Sequence, residues 1–157
     1  MKCCQCAIGS LSGLLRCPPQ AIAQLKGAPE YPRLRGLVRF YEGPDFVLIA
    51  ASVRGLPDGF HAFHIHEGSN CGGVQFAGSK GHFDPLGRPH PEHAGDLPPL
   101  LSCGGEALSL TRTCRFRLCQ VLGRTVIVHQ NPDDFHTQPS GSAGEKIACG
   151  VIRRCHP

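Results

Sequence analysis

Histidines are concentrated in one part of this sequence. Six of the nine lie between His61 and His93, and Asp96 follows three residues later. Neutral imidazole is the commonest protein ligand for transition metals, and an added carboxylate suits zinc. Side chains alternate between two faces of a strand, so His64 and His66 would point the same way. The pattern predicts a metal site, and isolated surface or core histidines are the alternative interpretation.

Short segments of alternating polarity surround this region and must position the histidines. Strands are predicted at residues 20–26, 33–41, 46–53, 60–67, 106–117, 124–130 and 147–152. No segment has the periodicity of a convincing helix. Two stretches, 68–105 and 131–144, show little periodicity, and loops of this length are either functional or disordered. Seven or eight short strands predict an antiparallel barrel or sandwich, and metal binding would supply the free energy that orders the loops.

The composition limits the class of protein and its partners. At 157 residues the chain is one domain by size, large enough for a hydrophobic core. The formal net charge is +4, but no run of five like charges and no aromatic-interleaved basic patch is present, so we expect no nucleic-acid partner. No stretch approaches the roughly 20 apolar residues of a membrane span, so we expect no membrane partner.

The cysteines and the N-terminus bear on location. Ten cysteines form no repeated Cys-x-x-Cys pair, which argues against a four-cysteine zinc site. So many thiols favour a reducing compartment, and a cytoplasmic location is expected. Residues 1–19 are predicted to be a flexible extension of a domain at 20–157; a truncated signal peptide, and therefore export, is the alternative. Cys3, Cys4 and Cys6 could alternatively contact a soft metal ion. The sequence assigns no role to these three cysteines or to Cys17.

Five segments in sequence order resemble the copper/zinc superoxide dismutase family. They are residues 64–67, 81–85, 93–97, 123–129 and 141–152, and the resemblance runs from about residue 20 to residue 153. It implies an all-β fold: an eight-stranded antiparallel Greek-key barrel, or immunoglobulin-like sandwich, with a long metal-binding loop and a second long loop. His90 and His93 are separated by only two residues, which resembles a bacterial-type member with a shortened zinc subloop.

The resemblance also implies one copper and one zinc ion. The copper ligands would be His64, His66, His82 and His129. The zinc ligands would be His82, His90, His93 and Asp96, so that His82 bridges the two ions. Asp133 would accept hydrogen bonds from metal-bound histidines, with an ordinary turn aspartate as the alternative. Cys71 and Cys149 would form the family's intrachain disulfide.

The implied activity is disproportionation of superoxide to oxygen and hydrogen peroxide by copper redox cycling, with a structural zinc. His82 would carry a proton, and Lys146, where most relatives have arginine, would guide the superoxide anion; a solvated surface lysine is the alternative. A non-catalytic zinc-only or copper-carrying member, or a zinc-stapled binding domain, is the competing function, and the complete copper set favours the enzyme. Both a homodimer and a monomer are compatible with the sequence. Three histidines outside the motifs are expected to face solvent: His61, His136 and His156.

Overall fold

The computed structural model describes Gly13 and residues 17–155. Cys3, Cys4, Cys6 and His156 lie outside the described residues. Almost all of the predicted extension at 1–19 lies outside them as well, so the division of the chain at residue 20 stays a prediction.

Eight strands form a closed antiparallel barrel, which confirms the predicted fold class. The strands are β1 (Ala21–Gly27), β2 (Arg35–Glu42), β3 (Val47–Arg54), β4 (Gly59–His66), β5 (Asp96–Cys103), β6 (Glu106–Thr113), β7 (Thr125–His129) and β8 (Lys146–Arg154). Their order around the barrel is β1-β2-β3-β6-β5-β4-β7-β8. Because β3 pairs with β6 rather than with β4, the chain crosses over the barrel end in the manner of a Greek key.

The barrel interior is filled by one alternating set of side chains from each strand. Phe40 on β2, Phe63 and Ile65 on β4, and Ile147 on β8 are all at most 1% exposed. Burial of each such side chain stabilises the fold by about 1.5–3 kcal/mol. The outward faces of β4 and β7 are available for polar side chains, and the long loops cover those side chains.

One strand differs from the sequence prediction. Strand β5 lies inside the stretch 68–105, for which the sequence predicts no secondary structure. The strand is not predicted because Pro98 and Pro99 within it remove backbone donors and mask its periodicity. The described residues also include a short irregular 3₁₀ segment at Val74–Ser79 and a four-residue helix, α1, at Leu118–Val121, both too short to show helical periodicity in the sequence.

A disulfide joins Cys71 in the long loop to Cys149 on β8, with Cα atoms 5.8 Å apart. This confirms the pairing that the family resemblance implies. It closes a loop across a sequence separation of 78 residues, and such a cross-link stabilises by about 2–4 kcal/mol. Among the described residues, no helix has the length and apolar character needed to cross a membrane.

Candidate metal centre

Strand β4 supplies two of the predicted copper ligands. His64 and His66 alternate with Phe63 and Ile65 along the strand. The two apolar side chains enter the barrel core. The two imidazoles point the other way and are covered by the loops, so they are only 0% and 2% exposed. The core therefore anchors the backbone that holds both imidazoles.

His82 and His129 complete a group of four imidazoles. His129 ends β7, and His82 comes from the long loop, which pairs with β4 at an isolated β-bridge between His66 and His82. One ligand atom from each of the four residues lies within 4.8 Å of the others. The Nε2 atoms of His66 and His129 are 3.3 Å apart. Imidazole ligands in this number suit copper.

A second group consists of His82, His90, His93 and Asp96, whose ligand atoms also lie within 4.8 Å of one another. The Asp96 carboxylate, at the start of β5, is 2.7 Å from His82 Nδ1 and 3.1 Å from His90 Nδ1. His93 Nδ1 is 3.2 Å from the same carboxylate. Three imidazoles and one carboxylate form a ligand set typical of zinc. The closely spaced pair, His90 and His93, thus converges on one position.

Three ring nitrogens show that both groups fit metal ions. Within the described part of the chain, His64 Nδ1, His82 Nε2 and His90 Nδ1 are buried and have no hydrogen-bond partner. His90 Nδ1 is close to Asp96, but their orientation does not make a hydrogen bond. A buried nitrogen without a partner costs free energy, and a bound ion would satisfy it. On His82, Nδ1 contacts the Asp96 carboxylate of the second group, and Nε2 is left for the four-imidazole group. The ring thus has one nitrogen for each ion.

Asp133 connects the two groups from the second long loop. His64 Nε2 donates to one of its carboxylate oxygens at 2.9 Å, and His90 Nε2 donates to the other at 2.8 Å. Burial alone would raise the pKa of Asp133, but hydrogen bonds from His64, the Phe135 backbone and His90 hold this pKa well below its usual range. Gly141 packs against this carboxylate so closely that a Cβ there would collide with it. The predicted contact of Asp133 with outer ring nitrogens is therefore present.

Backbone carbonyls fix the other two copper-type histidines. His66 Nδ1 donates to the Lys80 carbonyl at 2.9 Å, and His129 Nδ1 donates to the Gly144 carbonyl at 3.3 Å. These bonds place the proton on Nδ1 in both rings. The two Nε2 atoms, which face each other, are then the ones free to bind a metal.

The protonation states also favour metal binding. Burial lowers the pKa of His66 well below its ordinary value, and neighbouring His82 and His129 lower it further. Burial is likewise the largest cause of the lowered pKa of His129, which falls to about 3. For Asp96, burial alone would raise the pKa, but the hydrogen bond from His82 and nearby charges outweigh it and lower it. His66 and His129 are therefore held as neutral imidazoles and Asp96 as an ionised carboxylate, which are the forms that ligate metals.

Lys146 lies beside the four-imidazole group. Its Nζ donates to Ser79 Oγ and to the Lys80 carbonyl, both at 2.8 Å. Burial lowers the pKa of this lysine. Its positive charge is among the smaller causes that lower the pKa of His66 and His129, after burial. The lysine is thus held by two fixed acceptors, and one N–H remains for another ligand.

His61 differs from the sequence expectation, because it is buried and only 3% exposed. Its Nδ1 is 2.9 Å from the His129 carbonyl, and its Nε2 is 2.9 Å from the Pro57 carbonyl. The ring therefore supports the backbone of a copper-type ligand. A signal was present, because His61 lies two residues before Phe63, on the strand face that enters the core. His136 is exposed, as expected.

Arg115 is a second residue that the sequence did not indicate. Its Nη1 lies 3.1 Å from the carbonyls of Pro91 and His93 and 3.3 Å from that of Asp96. All three acceptors belong to the short segment 90–96, which carries three of the four zinc-type ligands. One guanidinium thus fixes the path of that segment from outside. A lone arginine near the end of the strand predicted at 106–117 gave no signal of this role.

The closed barrel carries two ligand groups that share one histidine. Together these features define a β-barrel protein with a paired metal site. The model of the family described as copper/zinc superoxide dismutase matches residues 34–152 of this chain. The chain therefore belongs to the copper/zinc superoxide dismutase family.

Individual relatives agree with this assignment. "Superoxide dismutase [Cu-Zn] 2" of Aquifex aeolicus is 36% identical over 134 residues, which cover 75% of this chain and 78% of that protein. "Superoxide dismutase [Cu-Zn]" of Legionella pneumophila is 34% identical over 156 residues, which cover 91% of this chain and 96% of that protein. The crystal structure of the clock protein EA4 has a TM-score of 0.76 at 28% identity and covers 88% of this chain and 97% of that one.

Proposed function

We propose that this protein disproportionates superoxide to oxygen and hydrogen peroxide. The observation that carries the proposal is the pair of complete ligand groups that share His82, each with its ligand atoms within 4.8 Å of one another. Copper would be held by His64, His66, His82 and His129. Zinc would be held by His82, His90, His93 and Asp96. When bound, copper supplies one-electron redox chemistry, whereas zinc has none.

Two residues have roles in the reaction beyond ligation. His82 Nε2 is buried and has no hydrogen-bond partner among the described residues, while its Nδ1 is fixed by Asp96. This nitrogen is placed to hold a proton that the product peroxide requires. The Lys146 ammonium, with one N–H not used by Ser79 or Lys80, offers a positive contact for the superoxide anion.

The competing function is a non-catalytic zinc-only or copper-carrying member of the same family. Zinc binding alone would not require His64, His66 or His129. All three are buried and hydrogen-bonded through their outer nitrogens, as ligands are. This complete copper group favours the enzyme.

The proposal includes a homodimer formed through the outer face of β4, β5 and β6. Phe60 on β4 pairs with Leu101 on β5, and both are more than half exposed. Leu108 and Leu110 on β6 are 81% and 44% exposed and extend the same apolar face. Exposed apolar side chains in one row are typical of an interaction surface.

Charge at the rim of this face supports a second copy as the occupant. Arg54 is the cross-strand partner of Glu106 at one end, and Arg112 lies 3.6 Å from Asp45 at the other. Each end thus carries one charge of each sign. Two copies related by a two-fold axis can therefore match opposite charges around an apolar centre.

The predicted cytoplasmic location is retained as part of the proposal. Cys103, Cys114 and Cys119 carry free, exposed thiols. Exposed thiols are kept reduced in the cytoplasm and are prone to mispairing in an oxidising compartment.

Metal loading combined with an activity assay tests the proposed function. Protein loaded with copper and zinc should contain one equivalent of each and remove superoxide. His129→Ala should lose copper and activity while it keeps zinc, because His129 belongs only to the copper group. Asp96→Asn should weaken zinc first and leave part of the activity. If fully loaded protein does not remove superoxide, the enzyme proposal is wrong and the metal-carrying function is supported.

A further inference from the structure

Lys80 has an unusual backbone conformation for a residue with a side chain. Its φ is 59° and its ψ is −147°, close to a region that essentially only glycine populates. Ser79 before it is fully buried, while the lysine side chain itself is exposed. A lysine at this position strains the folded backbone where glycine would not, so its side chain calls for a functional explanation.

The backbone of Lys80 lies at the copper group. Its carbonyl accepts one hydrogen bond from His66 Nδ1 and another from Lys146 Nζ, at 2.9 and 2.8 Å. Standard bond lengths place the Lys80 Cα within about 5 Å of the Lys146 ammonium. A lysine side chain spans roughly 6 Å, so the two ammonium groups lie within about one Debye length at 0.1 M salt.

The charges around Lys146 explain why a second cation matters. Lys146 is partly buried, and two of its three N–H groups are used by Ser79 and Lys80. Glu145, its chain neighbour, is exposed and accepts a hydrogen bond from Gln75 at 2.8 Å. The carboxylate opposes the field of Lys146 at the entrance. An exposed ammonium on Lys80 makes the sum of these three charges positive.

We infer that Lys80 is a second anion-guiding residue at the copper entrance, kept in a glycine-type conformation because its charge offsets that of Glu145. The inference deepens the proposed superoxide dismutase function and rests on it. A positive entrance raises the rate at which a small anion arrives, and salt weakens this effect.

Three substitutions separate the charge of Lys80 from its backbone conformation. Lys80→Gly removes both the charge and the strain, Lys80→Gln removes the charge alone, and Lys80→Arg keeps the charge. Lys26→Gln is the matched control, because Lys26 is an exposed lysine on β1, which lies outside both metal groups. Each variant is loaded with copper and zinc, and the superoxide removal rate is measured from low to high ionic strength.

Lys80→Gly and Lys80→Gln should both be roughly 2- to 5-fold slower than the parent at low ionic strength, and the difference should shrink as salt rises. Only Lys80→Gly should raise the thermal midpoint of the metal-free protein, by a few degrees. Lys80→Arg and Lys26→Gln should match the parent in rate and in salt dependence. Parent-like rates and salt dependence in both Lys80→Gly and Lys80→Gln would overturn the inference.

Azide, a small anion that binds copper without turnover, gives a readout that does not depend on dismutation. Its Kd for the copper-loaded protein, followed by absorbance, should rise roughly 2- to 5-fold in Lys80→Gln at low salt. If the parent bears both metals but lacks activity, the proposed function fails and this titration still tests Lys80. An unchanged azide Kd in Lys80→Gln would contradict the guiding role.

Discussion

Asp133 holds one ligand of each metal group through its two carboxylate oxygens. Hydrogen bonds from His64 and His90 at 2.9 and 2.8 Å leave both oxygens occupied in a site that is only 6% exposed. An amide at this position keeps the shape but has only one acceptor oxygen. One of the two imidazoles then faces an N–H group instead of a carboxylate.

We therefore predict that Asp133→Asn destabilises the metal-free protein by about 2 kcal/mol at pH 7, the usual contribution of hydrogen bonds to a charged group. The folded-state pKa of Asp133 lies below its unfolded value. Its contribution is thus fully present above the unfolded pKa near 4 and is lost as the pH falls below it. Urea unfolding of parent and variant at pH 7 and pH 3 should show the difference narrowing at the lower pH. A constant difference would contradict the assigned carboxylate role.

Lys146 is the residue whose charge reaches the copper-type histidines. Lys146→Glu should lower the low-salt rate more than Lys146→Gln, because it reverses the charge that attracts superoxide. Lys146→Arg should keep or raise the rate, since a guanidinium can still donate to Ser79 and the Lys80 carbonyl. The rate of the parent should fall as ionic strength rises. Equal rates in all three variants at low salt would exclude Lys146 from guidance.

Residues with a distinctive type and spacing could be predicted from the sequence, whereas supporting residues could not. The seven ligands are of unusual types at fixed spacings within recognisable segments, and the structure brings all of them together. His61 was missed because a single histidine carries no spacing, although its position before Phe63 indicated the core face. Arg115 was missed because its acceptors are backbone carbonyls of a distant segment, which leave no side-chain pattern.

The segment that carries the zinc-type ligands is short and depends on contacts from other elements. Arg115, which follows β6, lies at the carbonyls of Pro91, His93 and Asp96. Gln138 in the second loop both accepts from and donates to the backbone of His90. The segment is therefore held on two sides before any ion binds.

We predict that Arg115→Met weakens zinc binding about tenfold or more, which is the effect typical of outer contacts in metal sites. Copper content should change less, since Arg115 touches no part of the copper group in the described structure. Zinc competition against a chelator measures the effect. Arg117→Met is the matched control, because Arg117 pairs with the partly exposed Glu42 and with the Pro44 carbonyl, away from the site. Parent-like zinc affinity in Arg115→Met would show that the segment holds its shape unaided.

Strand β5 shows where periodicity fails at the level of elements. Its sequence, DLPPLLSC, contains two prolines and no strict alternation. It becomes a strand because β4 presents a complementary edge, with Phe60 pairing Leu101 and His64 pairing Asp96. The pairing is a tertiary effect, which local propensity does not contain. The other seven strands alternate well enough to be located within a few residues.

At the scale of the whole molecule, strand order was accessible only through the family resemblance. Alternation within a strand does not specify its neighbours, and β3 pairs with β6, more than 50 residues away in sequence. The register of that pairing brings Ser52 beside Leu108 and Ala50 beside Leu110. An exposed apolar face across β4, β5 and β6 therefore emerges only from the assembled barrel.

We predict that Leu108→Glu converts a dimer into a monomer, because two copies would bury unpaired carboxylates at the centre of the interface. Sedimentation velocity at several concentrations measures the change. Val74→Glu is the control, since Val74 is 87% exposed but lies in the disulfide-linked loop away from this face. A parent that sediments as a monomer at all concentrations would refute the proposed dimer.

The position of Asp133 between His64 and His90 has a thermodynamic consequence. An ion in either group fixes its own histidine and, through it, the shared carboxylate, so the second ion meets a neighbour that is already ordered. Linkage then requires that zinc tighten copper binding by the same factor by which copper tightens zinc binding. Half-loaded molecules are disfavoured in proportion to that factor. Such coupling would favour the empty and the doubly loaded protein over a protein that carries a single ion.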